Sequence, residues 1–141
     1  MKTTAKTKIT IDATINASLE KVWNYWTESS HIINWNFASE DWHCPKAEND
    51  LQVGGKMNTR MEAKDGSFGF DFEGKYDEVI LNKKITFTMS DGRIASTDFE
   101  KFGDKTKVKT IFDAEIENPI EMQKGGWQAI LNNFKKYTEN N

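Results

Sequence analysis

The chain has little of what thiol or soft-metal chemistry requires: one cysteine and two histidines in 141 residues. A lone cysteine excludes an internal disulfide, and an unstapled chain of this length suits a reducing compartment. No apolar run approaches the roughly 18 residues of a membrane-spanning helix. Excess base is missing too. Lys and Arg number 19 against 22 Asp and Glu, a formal charge of −3, without the basic surface that displaces counterions from nucleic acid. The opening MKTTAKTKITIDA carries lysines but no apolar stretch of signal-peptide length. A cytoplasmic protein with neither nucleic-acid nor membrane partners is expected. What is present, 37% hydrophobic and 29% charged residues, suits one core and a single domain over residues 1–141.

Two periods organise the chain. KITIDATIN alternates Ile9, Ile11, Ala13 and Ile15 with polar residues, the pattern of a half-buried strand. ASLEKVWNYWT then places Leu19, Val22, Trp23 and Trp26 at helical spacing, with Asn16 or Ser18 available as cap. A short helix is expected over SSHIINW. Period two returns at Met57, Thr59, Met61 and Ala63, and continues through Phe68, Phe70, Phe72 and Tyr76, then Ile85, Phe87 and Met89. RIASTDFEKF follows, and a last strand carries Val108, Thr110, Phe112, Ala114 and Ile116. The intervening turns, at Asp65 with Gly66, Asp91 with Gly92 and Gly103 with Asp104, are short enough to dictate an antiparallel meander. Beyond Pro119, a residue suited to a first helical turn, Ile120, Trp127, Ile130, Leu131, Phe134 and Tyr137 form one apolar stripe. The economical packing is α+β: a curved antiparallel sheet, two short helices, and one long C-terminal helix across its concave face.

Three segments give this plan a family likeness: the strand running into ASLEKVWNYWT, the corner NDLQVGGKM at 49–57, and GGWQAILNNFKKY at 125–137. Together they resemble the START-like, helix-grip superfamily (SRPBCC), and within it the branch related to the C-terminal domain of the activator of heat-shock protein 90 ATPase. The resemblance covers nearly the whole chain. It implies the fold derived above, often with an apolar cavity between sheet and helix. It does not fix function, because that superfamily includes lipid and hormone binders, cyclases and hydroxylase components. The activator joins this domain to an N-terminal one for which 141 residues leave no room, so direct chaperone stimulation is not expected.

HIINWNFASEDWHC, residues 31–44, holds both histidines and the cysteine. A zinc site needs three or four ligands at defined spacing. His31, His43 and Cys44 do not supply it, and adjacent His43 and Cys44 point opposite ways in an extended chain. Neither a metal, a cofactor nor a cysteine nucleophile is expected. The aromatics carry more meaning: Trp35, Phe37 and Trp42 read as a lid over one end of the interior. Beneath it, Met57, Met61, Phe70, Phe72, Phe87, Met89 and Phe99 on the sheet, with Trp127, Ile130 and Phe134 on the helix, would form an apolar surface. That surface is either a filled core or the wall of a ligand pocket. Tyr25, His43 and Gln123 are candidate polar anchors. Arg60, Glu62, Asp71 and Glu73 fall on the solvent side, so no inward carboxylate pair is available for acid–base work; the facing of Asp98 is open. Gly54 and Gly55 read as a sheet corner, whereas Gly125 and Gly126, inside a helix, imply close packing or a kink. The expected function is binding of a hydrophobic small molecule. The alternatives are a protein-interaction module, its partner another protein or a second copy, and a cyclase-type enzyme. An interior space of about 300 Å³ or more would favour binding.

Overall fold

A computed structural model describes residues 7–141; the lysine-bearing opening up to residue 6 lies outside the described residues. The order of elements is β1 (Lys8–Ile15), α1 (Leu19–Thr27), α2 (Ser29–Ile32), β2 (Trp42–Asn49), β3 (Lys56–Ala63), β4 (Gly69–Ile80), β5 (Lys84–Met89), β6 (Ile94–Phe102), β7 (Lys105–Asp113) and α3 (Ile120–Asn140). The seven strands form one antiparallel sheet in the order β1-β7-β6-β5-β4-β3-β2. It curls into a half-barrel, with α3 in its concavity: an α+β helix-grip fold, as the periodicity required.

Each element follows from local chemistry. Ser18 caps α1, its hydroxyl accepting from the Lys21 amide at 3.2 Å. β3 and β4 pair with Thr59 opposite Phe72 and Met61 opposite Phe70, so the alternating apolar faces coincide. A register shift between Tyr76 and Glu78 lets Tyr76 and Val79, an odd number of residues apart, face Phe87 and Ile85 on the same side. The corner before β3 is Gly54 (φ 85°) and Gly55. A Cβ on Gly55 would stand 2.1 Å from the Asp50 carbonyl oxygen, so only glycine fits. Gly54 donates to the Tyr76 carbonyl at 2.8 Å and the Tyr76 amide to Gly55 at 2.9 Å, fastening the corner to β4.

Three expectations are corrected. Residues 42–49, read as part of a lid connection, form the edge strand β2. Pro45 and a register shift between His43 and Lys46 hide its alternation, and an edge strand tolerates both. β7 stops at Asp113, leaving Ile116 almost fully exposed, because Asp113 is a buried acceptor that ends the strand: it takes Lys8 Nζ at 2.7 Å and the Ile94 amide at 2.9 Å. The short helix α2 covers only Ser29–Ile32.

The core fills one half of the grip. Ile9, Ile15, Val22, Trp23, Val108, Phe112, Leu131 and Phe134 are buried there. Trp26, Trp35 and Phe134 interlock, with ring centroids 4.8 to 5.1 Å apart. Outside, Arg60 holds Glu62 at 2.8 Å and Asp71 at 3.4 Å, and Asp98 faces Lys84 at 3.9 Å. The open question of Asp98 is thereby answered: it points to solvent. Among the described residues no helix is long and apolar enough to cross a membrane.

Candidate ligand-binding cavity

The other half of the grip is hollow. A cavity of about 470 Å³, open on one side, lies between β3–β5, the first half of α3 and the connection at residues 33–41. A closed, dry void of that size would cost on the order of 10 kcal/mol, as much as a domain's whole net stability. Its opening admits solvent, and so keeps that cost from arising.

The hollow has a definite construction. Its floor is made of short side chains, Thr59 on β3, Thr97 on β6 and Thr110 on β7, each nearly fully buried. Its roof includes Gly126. A Cβ added there, or at Gly125, meets no heavy atom within 4 Å, which corrects the expectation of close helix packing at this pair. The glycines leave space instead. Aromatic pillars hold roof and floor apart: Trp127 stacks on Phe112 with centroids 3.8 Å apart and rings 9° from parallel, and meets Phe72 edge-on at 6.1 Å. Large walls around a small-residue floor prevent collapse.

Most of the residues singled out from the sequence meet here. Trp35, Phe37, Trp42, Met57, Met61, Phe70, Phe72, Phe87, Trp127 and Ile130 line the cavity. Met89, Phe99 and Phe134 do not. Phe99 and Phe134 are buried in the filled half, where α1 packs over β6 and Phe99 meets Trp23 and Trp26 edge-on, whereas Met89 is buried at the other end of β5, opposite Gly74. Trp35 is as much core as lid, since its ring is buried and its indole N–H donates to the Tyr25 carbonyl at 3.0 Å. Trp42, on the edge strand, belongs to an aromatic group with Phe68 and Phe70, whose rings are exposed by 62% and 40%. That group marks the mouth.

The three polar guesses fare differently. Gln123 lines the cavity, but its amide is spent on the loop before α3: it accepts from the Glu115 amide at 2.8 Å and donates to the carbonyls of Glu115 and Asn118. Tyr25 stacks on His31 at 3.8 Å and donates to the Asn141 carbonyl, away from the cavity. His43 lies on the outer face, 3.7 Å from Glu62. Polar lining that sequence reasoning missed includes Asn49 and Tyr76, whose hydroxyl donates to the Asn49 side-chain oxygen while that amide donates to the Thr27 carbonyl at 2.5 Å. Burial pushes the Tyr76 hydroxyl well above the usual tyrosine range.

Catalytic chemistry finds few parts. Cys44 is buried, its thiol turned toward the Lys46 carbonyl, and burial raises its pKa, the reverse of an activated nucleophile. His31 is held by Tyr137 at 2.8 Å on another element. Among the described residues no three His, Cys, Asp or Glu side chains converge on a common point. The arrangement can enclose an apolar body, with a few donors at its edges.

Comparison with known proteins agrees with this architecture. The AHSA1-like protein from Aeromonas hydrophila, solved in solution, is 42% identical and superposes with a TM-score of 0.90, over 95% of this chain and 93% of that one. Chr148 from Cytophaga hutchinsonii is 53% identical with a TM-score of 0.82, over 94% and 92%. NE0264 from Nitrosomonas europaea, at 17% identity and a TM-score of 0.81 over 99% of each chain, shares the fold. No curated protein matches the chain. The model of the family described as Activator of Hsp90 ATPase homolog 1-like protein matches residues 16–139, and the chain belongs to that family.

Proposed function

We propose that this protein binds a hydrophobic small molecule in the cavity between its sheet and C-terminal helix. The supporting observation is the open space of about 470 Å³ walled by Met61, Phe72, Phe87 and Trp127. It exceeds the roughly 300 Å³ at the lower end of ligand pockets. A module acting only through its outer surface has no need of such a hollow, and the two acids in the wall, Glu48 and Glu115, are engaged with Lys46 and Asn118 rather than with each other. Selectivity then comes from shape and burial, with affinities in the micromolar range, near −8 kcal/mol as an order of magnitude.

Titration with 1-aminoanthracene tests the reading, since its fluorescence rises on leaving water. The folded protein should bind about one equivalent saturably. Trp42→Ala should weaken binding several-fold with little change in unfolding midpoint, because Trp42 is a half-buried residue of an edge strand. A folded protein with no saturable dye binding would remove the proposal.

A further inference from the structure

Most polar groups of the cavity wall are already committed to one another. The hydroxyls of Thr97 and Thr110 lie 2.7 Å apart in a hydrogen bond. Asn49 and Tyr76 are bonded together, and Gln123 holds its loop. Arg93 differs. Among the described residues it is the one cation in the lining, and it is one of two arginines in the chain; the other, Arg60, is spent on the outer face. The side chain is only 20% exposed, and its single protein partner among the described residues is Asp91, whose carboxylate takes Nε at 2.8 Å. Among the described residues the four N–H groups of the two Nη atoms have no protein acceptor, and both Nη atoms remain accessible to solvent rather than sealed in the core, so they are available to an incoming acceptor. Glu48 and Glu115 share the wall, but Glu48 lies 3.6 Å from Lys46, Glu115 accepts from Asn118, and neither forms an ion pair with Arg93. The turn carrying Arg93 is fixed against β4, where the Ser90 amide donates to Glu73, the neighbour of Phe72. Phe72 in turn meets Trp127. Arg93 thus lines the same cavity as Phe72 and Trp127, on a turn tied to the strand that carries Phe72.

We infer that the ligand is an amphipathic acid, with its apolar body among Met61, Phe72 and Trp127 and its carboxylate received by the two Nη atoms of Arg93. The outer edge of a guanidinium presents two parallel N–H donors that match the two oxygens of a carboxylate, a fit a point charge does not give. This rests on the binding reading above and narrows it to a chemical class.

The test compares biphenyl-4-carboxylate with biphenyl-4-carboxamide, alike in shape and different in charge, each displacing 1-aminoanthracene. At low salt the acid should bind about five- to tenfold more tightly, the range of a partly buried charge-assisted pair. Arg93→Gln should bring that ratio near one while leaving the amide within about twofold, Arg93→Lys should keep part of it, and salt of about 0.5 M should shrink it in the native protein. A native ratio near one, or an acid preference that survives Arg93→Gln, overturns the inference while leaving apolar binding in place. Failure of both compounds and of the dye to bind removes the binding reading and the inference together. Should Arg93→Gln not fold, the native salt response decides: an acid preference indifferent to salt overturns the assignment.

Discussion

Gly126 carries a cost that nothing around it offsets. A glycine inside a helix loses about 1 kcal/mol against alanine, and here the space beside it is empty rather than filled by a close neighbour. Gly126→Ala should therefore raise stability by about 0.5–1 kcal/mol, read as a higher thermal midpoint by circular dichroism, while weakening dye binding because the added methyl enters the cavity. A loss of stability would show that the glycine serves packing after all. Tyr76 gives a second residue-level expectation. Its hydroxyl pKa is raised in the fold by burial, so the unfolded chain ionises first. The stability this contributes is complete below the ordinary tyrosine value of about 10 and is lost as pH rises through it toward the higher folded value. Urea midpoints measured between about pH 9 and 11 should fall more steeply for the native protein than for Tyr76→Phe. Equal slopes would contradict the burial of that group.

Among the elements, α3 does two jobs along its length. Its first half roofs the hollow, and its second half anchors the core through Leu131 and Phe134, which are 1% and 0% exposed. Phe134→Ala should cost about 3–5 kcal/mol, as for emptying any packed aromatic site, read from urea unfolding; a cost below about 1 kcal/mol would place the helix elsewhere. This element was legible in advance because its stripe has period 3.6, just as β3 to β7 were legible from period two and from the Gly-containing turns after β3, β5 and β6. β2 was not. Trp42, His43, Cys44 and Pro45 show no alternation, and a register shift falls among them, between His43 and Lys46, so the segment looks like a loop until its partner strand is seen. The edge position of β2 makes that irregularity affordable, since only one side needs a full ladder of hydrogen bonds.

For the molecule as a whole, periodicity tells which way a side chain points but not whether opposing faces meet. The aromatic walls could thus be named from the sequence, while the hollow could not, because it consists of what is small: Thr59, Thr97, Thr110 and Gly126. Phe99 and Phe134 share the phase of the lining residues and still fall in the filled half, since α1 decides where the filling ends. Arg93 drew no notice either, since it stood only as the first residue of the strand RIASTDFEKF, in phase with Ala95, Thr97 and Phe99. Methionines sample these regions in one experiment: Met57 and Met61 line the cavity, Met89 is 4% exposed in the core, and Met122 is 63% exposed on the outer side of α3. With the methionine methyl groups labelled with carbon-13, titration of biphenyl-4-carboxylate followed by NMR tests the central claim most directly. Saturable shifts at Met57 and Met61, with Met122 unmoved, are the result this structure predicts; shifts confined to Met122, or none at saturating ligand, would contradict it.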